Sequence, residues 1–277
     1  MLATLRLLTF DLDDTLFPCG RVVQKANAVL NERLQELGAN PPDNFQDAIR
    51  EVRRAHADAG GGALTYSELR CRAIAKLLME SSSSIPQPSV VDSCFDAWLD
   101  ARQQEADNML FEGVVDSLET VRKQYPHCVI GAVTNGRGDP RGMPSLATLF
   151  DFCVSGEDED VWPERKPSPE IYEHALRRAL SSSSLSAGAD ASESELLRTS
   201  WVHIGDCLVN DVEASKRAGA STIWLDAPSD PLNTFSTASP EEEERRRAAR
   251  AEALAAGYVD VRIDSMRALP DALEQLL

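Results

Sequence analysis

Leu7-Leu8-Thr9-Phe10-Asp11-Leu12-Asp13-Asp14-Thr15-Leu16 is the stretch on which the rest of the chain turns. The apolar run Leu7 to Phe10 reads as a short buried strand. It ends in two carboxylates two residues apart, Asp11 and Asp13. The C-terminal ends of strands are where open α/β sheets hold their ligands. Like charges crowded in a desolvated site repel, so the pair calls for a counter-charge. A divalent cation supplies one, and hard cations prefer oxygen ligands. A lone Asp-x-Asp after a strand would more often be an acidic turn; the rest of the chain argues against that reading.

From about residue 22 to 110 the apolar spacing is helical. Val22, Val23, Ala26, Val29, Leu30, Leu34 and Leu37 recur on one face before Gly38, and further helices are expected over Phe45–Ala59, Tyr66–Met79 and Val90–Gln104. After Phe111 the pattern changes to alternating helices and short apolar strands: Cys128–Val133, Phe152–Ser155, Trp201–Ile204 and Ser221–Leu225, and the chain closes with Val259–Ile263 and a short helix to Leu277. Helices are expected at Val114–Tyr125, Pro169–Leu180 and Asp211–Ala218. That succession predicts an α/β protein with a doubly wound parallel sheet, interrupted by an all-helical insertion. The expected division is residues 1–17 with 112–277 for the sheet domain and 18–111 for the insertion, with hinges near Pro18-Cys19-Gly20 and Phe111-Glu112-Gly113. Ser181–Arg198 reads as a surface connection outside the core, Ser229–Ser239 as turn-rich, and Glu241–Arg247 as the start of a solvated charged helix.

Composition narrows the function. The net charge of −17 over 277 residues argues against nucleic acid or an anionic membrane as the main partner, since both reward basic patches. No apolar run approaches the roughly 18 residues of a transmembrane helix, and the N-terminus lacks the basic-then-apolar order of a secretory signal, so a cytoplasmic location is expected. The six cysteines include no C-x-x-C pair and the four histidines show no ligand spacing, which favours reduced thiols over disulfides or zinc. Cys207, beside Asp206, reads as a small buried filler rather than a reactive thiol.

Three further features fall at element ends in a fixed order. Thr134-Asn135-Gly136 follows a strand, Lys166-Pro167 precedes a helix, and Gly205-Asp206-Cys207-Leu208-Val209-Asn210-Asp211 joins a strand to a helix. Each alone is weak; Asn-Gly is a common turn pair. Taken with Asp11-x-Asp13, in this order, the chain resembles the haloacid dehalogenase superfamily in its phosphatase branch, from Leu7 to Leu225. The resemblance implies a Rossmann-like core and a C1-type helical cap at 18–111. It implies Asp11 as nucleophile, Asp13 as general acid/base, Thr134, Asn135 and Lys166 as holders of the phosphoryl group, and Asp206 as a metal ligand. Mg²⁺ would be the cofactor, held also by Asp11 and the main-chain carbonyl of Asp13, with Asp211 supporting the metal shell.

The chemistry accounts for these residue types independently. A phosphate dianion repels a carboxylate nucleophile, so attack by Asp11 needs cationic charge nearby. An aspartyl-phosphate divides one hard step into two. Asp13 would protonate the leaving alkoxide and then activate water. Halide is expelled without a proton donor, and dehalogenases of this fold typically lack the second aspartate, so Asp13 favours phosphoryl chemistry. Within the branch the chain is similar to bacterial flavin-pathway phosphatases acting on a phosphoribitylamino-uracil and on FMN, through Leu8–Leu16, Ala132–Gly136 and His203–Asp206. Sugar-phosphate and nucleotide phosphatases share the same core pattern, and a phosphomutase or a catalytically silent regulator stays open. The expected partner is a small phosphorylated metabolite, acted on by a monomer or homodimer. The cap, expected to set substrate preference, matches nothing assignable.

Overall fold

The computed structural model describes residues 5–82, 85–182, 191–227 and 240–277. In chain order, β1 (Leu7–Phe10) is followed by four helices, α1 (Cys19–Glu36), α2 (Phe45–Asp58), α3 (Tyr66–Ser82) and α4 (Pro88–Asn108). Then come α5 (Val114–Gln124), β2 (Val129–Thr134), β3 (Phe152–Ser155), α6 (Glu170–Ser182), α7 (Ala191–Thr199) and β4 (Trp201–Gly205). A short α8 (Ala214–Arg217), β5 (Ser221–Leu225), α9 (Pro240–Ala255), β6 (Val261–Ile263) and α10 (Leu269–Leu276) complete the chain. The chain divides into two compact units, Met1–Gly20 with Met109–Leu277, and Arg21–Asn108.

The sheet is parallel throughout, in the order β3-β2-β1-β4-β5-β6. Every residue of β1, β2 and β4 is buried, as a sheet covered on both faces requires, and their sequences are apolar apart from Thr9, Thr134 and His203. β1 lies between β2 and β4, with Phe10 opposite Ala132 on one side and Ile204 on the other. The chain order reverses between β1 and β4. That crevice is the topological switch point, where ligands of open α/β sheets bind.

One face of the sheet is packed by α6, through Ile171, Tyr172, Ala175, Leu176 and Ala179 against Val133, Val154 and Trp201. Leu197 of α7 joins that cluster, and Arg198 pairs with Glu173. For residues 191–198 this corrects the reading of 181–198 as a connection outside the core; residues 183–190 lie outside the described residues. Glu195-Leu196-Leu197-Arg198 are good helix formers, and Leu197 anchors the helix by burial. The turn-rich reading of 229–239 lies outside the described residues.

Two local devices start helices in the second unit. Asn44 caps α2 by accepting from the Gln46 amide, and Thr65 with Glu68 forms a reciprocal capping box ahead of α3, at 2.8 and 3.0 Å. At the centre of that unit Arg70 is buried, its guanidinium 3.7 Å over the Trp98 ring and 2.9 Å from Asn27 Oδ1. Trp98 Nε1 donates to the same amide oxygen at 2.9 Å.

Candidate active site

β1 delivers Asp11 to the C-terminal edge of the sheet, and its amide donates to the Ile204 carbonyl, extending the ladder to the carboxylate. The next residues fold into a tight loop. The Asp14 amide donates to the Phe17 carbonyl, Asp14 takes φ 63°, and its Oδ1 accepts from the Cys19 amide at 3.0 Å. Asp sits in the left-handed region more readily than most residues. Asp13, half-buried, lies at the mouth of this loop in a single bridge to Phe17.

Lys166 joins the elements. Its ammonium, buried, donates to Asp11 Oδ1 at 2.5 Å, Asp211 Oδ1 at 2.7 Å and the Val133 carbonyl at 2.9 Å. An ammonium has three donors, and all three are engaged. The backbone carrying it is held by Asn135, whose Nδ2 donates to the Lys166 carbonyl at 3.0 Å. Asn135 Oδ1 is buried with no hydrogen-bond partner. Thr134, also buried, ends β2 with its hydroxyl 3.4 Å from the Gly136 amide and its carbonyl taken by Gly156.

On the other side of the switch point, β4 ends at Gly205 and delivers Asp206 and Asp211. A Cβ on Gly205 would lie 2.4 Å from the Asp211 Cβ, so only glycine lets that carboxylate approach. The sequence pattern predicts a regular helix opening at Asp211. Instead the chain makes a wider turn over Leu208–Glu213, in which the Val212 amide reaches back to the Cys207 carbonyl. The cause is the aspartate itself: its Oδ2 accepts from the Cys207 amide at 3.0 Å while Oδ1 holds Lys166. Cys207 is part-exposed, and burial pushes its thiol up to about 11, which makes it a poor nucleophile near neutrality.

Carboxylate oxygens of Asp11, Asp206 and Asp211 lie within 4.8 Å of one another. Burial, with Asp211 and Asp13 adding, raises Asp11 to about 7 despite the opposing pull of Lys166. Burial and the neighbouring Asp211, Asp11 and Asp14 likewise hold Asp206 well above the usual carboxylate range. Asp211 differs: burial opposes its charge, but Lys166 overrides it and lowers the group to about 2. Burial also pulls Lys166 toward neutrality, and Asp11 and Asp211 more than reverse that. Two carboxylates here therefore want positive charge that a single ammonium does not provide.

With carboxylate oxygens no more than 4.8 Å apart, Asp11 and Asp206 are close enough to hold one oxygen-preferring divalent cation together. Asp211 holds the Lys166 ammonium through Oδ1 and the Cys207 backbone amide through Oδ2, which suits a supporting place beside the metal. Thr15, to which sequence reasoning assigns no role, bridges the two. Its hydroxyl donates toward Asp11 Oδ2 at 3.1 Å, and accepts from the Asp206 amide at 3.2 Å. Its position four residues after Asp11 is the one signal the sequence carries for it. Trp224, whose Nε1 donates to the Asp206 carbonyl at 2.9 Å, has no such signal.

Comparison with known proteins bears on the family and the fold. The profile of the haloacid dehalogenase-like hydrolases matches residues 5–219. A ribulose-1,5-bisphosphate 5-phosphatase of Halopiger xanaduensis is 26% identical over 86% of this chain and 91% of its own. A glyceraldehyde 3-phosphate phosphatase of Methanopyrus kandleri is 23% identical over 80% and 84%. Among solved structures, a 2-haloacid dehalogenase of Pseudomonas syringae superposes with a TM-score of 0.68 at 25% identity, covering 99% of this chain and 100% of that one. CbbY of Rhodobacter sphaeroides, in complex with phosphate, superposes at 0.53 and 17% identity over 98% and 100%, a likeness of fold. With the profile covering most of the chain and the sheet order and carboxylate cluster in place, this protein belongs to the haloacid dehalogenase-like hydrolase family.

Proposed function

We propose that this enzyme is a Mg²⁺-dependent phosphatase that hydrolyses small-molecule phosphate monoesters through an aspartyl-phosphate on Asp11. The observation that carries the reading is Lys166 bonded to both Asp11 and Asp211 at the switch point, with Asp206 in the same carboxylate cluster. Asp11 Oδ2 is assigned as the nucleophilic oxygen, since Oδ1 is held by the Lys166 ammonium at 2.5 Å while Oδ2 meets the weaker, neutral Thr15 hydroxyl at 3.1 Å. Lys166 steadies the negative charge at Asp11 and at the arriving phosphoryl group. As Asp11 becomes an acyl phosphate it stops being an anionic acceptor, and the ammonium is released to a phosphoryl oxygen. Thr134 and the backbone amides beyond it bind the remaining oxygens, with Asn135 holding the Lys166 loop in place. Asp13 donates a proton to the leaving alkoxide and takes one from the water that hydrolyses the intermediate. Mg²⁺ bound by Asp11, Asp206 and the Asp13 carbonyl would supply the charge neutralisation that attack on a dianion requires.

The named activities of the two curated relatives favour a phosphorylated sugar over FMN as substrate. The helical unit, Arg21–Asn108, is assigned the selection of substrate. A second reading, halide displacement, is favoured by the Pseudomonas syringae dehalogenase likeness. It leaves Asp13 without a task. The test is hydrolysis of para-nitrophenyl phosphate with Mg²⁺, with EDTA, and with Ca²⁺, followed by a panel of triose phosphates, pentose phosphates, nucleotides and FMN, and by chloride release from 2-chloropropionate. Phosphate release that needs Mg²⁺ supports the proposal. Chloride release without phosphate release would replace it with the second reading.

A further inference from the structure

Behind Lys166 lies a buried polar chain for which the reaction scheme gives no use. His203 projects from β4 with no exposed surface, opposite Thr9 of β1 in the ladder register. Its Nδ1 is 2.8 Å from Thr9 Oγ1, which also receives Trp201 Nε1–H at 2.8 Å. Its Nε2 faces two oxygens: the Tyr172 hydroxyl at 3.5 Å and Asp211 Oδ1 at 3.9 Å. Tyr172, edge-on to the imidazole at 5.1 Å, gives its proton to the Asn210 carbonyl at 2.8 Å, so its oxygen turns lone pairs toward the ring. Asp211 Oδ1 is the oxygen that holds Lys166.

These contacts decide the tautomer. A lone pair on Nε2 would point at a carboxylate oxygen and a phenol oxygen whose proton is used elsewhere. A proton on Nε2 meets both favourably. Nδ1 is then the acceptor. Thr9 fits that role, because its hydroxyl accepts from Trp201 and still has its own proton to give. The order Trp201 to Thr9 to His203 to Asp211 to Lys166 to Asp11 thus runs with every donor facing an acceptor, from the middle of the sheet to the nucleophile.

We propose that His203 is a positioning residue, protonated on Nε2, whose ring edge sets the orientation of the Asp211 carboxylate and so the place of Lys166 in phosphoryl transfer. The inference rests on the phosphatase reading for its kinetic part and on geometry alone for its tautomer. Without the ring edge Asp211 keeps its bonds to Lys166 and the Cys207 amide but loses the contact beside Oδ1, so Lys166 would lose alignment with Asp11 in the transition state more than in substrate binding.

Two measurements test it on the full-length protein. Long-range ¹H–¹⁵N correlation spectra of the four histidines, with His203 identified by the signal lost in His203→Gln, read the tautomer directly. A proton on Nε2 is expected, and a proton on Nδ1 would overturn the proposal. In kinetics with para-nitrophenyl phosphate, His203→Leu removes the donor, while His203→Gln places an amide N–H near the position of Nε2. His203→Leu is expected to lower kcat about tenfold with KM unchanged, the size typical of outer-shell partners. His203→Gln should recover most of that loss. Equal kcat in His203→Leu and wild type, or equal loss in both variants, would overturn it. Should His203→Leu not fold, the tautomer of the wild-type protein still decides. A wild-type protein that releases no phosphate at all would fail the phosphatase reading instead, and the tautomer would still confirm or overturn the hydrogen-bonding assignment of His203.

Discussion

Both units of this protein bury cationic side chains, and Lys166 and Arg70 sit in different surroundings. Lys166, in the sheet unit, sits against two carboxylates with a third within reach of the same cluster. Arg70, in the helical unit, lies over the Trp98 ring at 3.7 Å, 5.3 Å from the Phe45 ring, and bonds to the neutral amide of Asn27. The first arrangement carries more negative charge than its ammonium balances, and it leaves carboxylates raised above their ordinary range. The second sets its charge beside aromatic faces and an amide oxygen that two donors share. A site prepared to bind a cation and an anion in turn must be electrostatically incomplete; a structural centre need not be.

The sharpest break of that comparison is Asp11→Asn. It should lower turnover by at least about a thousandfold, as loss of a covalent nucleophile does. It should also raise the thermal midpoint of the metal-free protein, because one charge leaves a crowded cluster while Lys166 keeps Asp211. Retention of more than a few per cent of activity, with deamidation excluded, would remove Asp11 from that role.

Lys166→Met probes the same centre from the positive side. Removing one partner leaves Asp11 and Asp211 buried and uncompensated, a change that costs about 3–5 kcal/mol in comparable pairs. Stability to urea and kcat should both fall. A variant as stable as the wild type would mean that the carboxylates find protons or cations elsewhere at no cost.

Acid-base behaviour should separate the two regions next. Asp11 is raised from 3.8 to about 7, and Asp206 is raised in the same direction. The folded metal-free protein thus keeps protons that the unfolded chain has released. Their contribution is complete below about 3.8 and is lost as pH rises through about 7. Asp211, lowered to about 2, works the other way: its contribution is present above 3.8 and fades as pH falls toward 2. Thermal midpoints of the EDTA-treated protein should therefore decline between about pH 4 and 7, and Mg²⁺ should reverse the decline. A flat profile in EDTA would contradict the raised carboxylates.

The smallest effect is expected in the helical unit. Arg70→Met keeps length and apolar contact with Trp98 but removes the charge and the bond to Asn27. A loss of roughly 1–3 kcal/mol in stability is expected from such a hydrogen bond and cation–π contact, with kcat for para-nitrophenyl phosphate changed less than about threefold. A large fall in kcat would move Arg70 from scaffold to chemistry.

Much of this is legible in the chain because the relevant signals are local. Asp11-x-Asp13 announces itself directly after an apolar run, and Ser221–Leu225 forms β5 over the span its β-branched and aromatic residues indicate. What escapes depends on distance in sequence. Thr9 and His203, 194 residues apart, meet only because β1 and β4 pair, and each alone reads as a polar residue in a strand. The wide turn at Leu208–Glu213 escapes because helical spacing there is ordinary; it is the Asp211 carboxylate, drawn to Lys166 and the Cys207 amide, that opens it. Leu197 looks like one apolar residue in a Ser-rich segment until packing places it in the core.

Central to the proposed chemistry is a covalent bond from an Asp11 carboxylate oxygen to phosphorus. Rapid acid quench of the Mg²⁺ enzyme during turnover of a phosphate ester, reduction with borohydride and peptide mass spectrometry test it most directly, since borohydride converts an acyl phosphate to the alcohol. Aspartate reduced to homoserine is expected at position 11, in wild type and not in controls without substrate. Reduction at another aspartate, or none under conditions where phosphate is released in a burst, would contradict it.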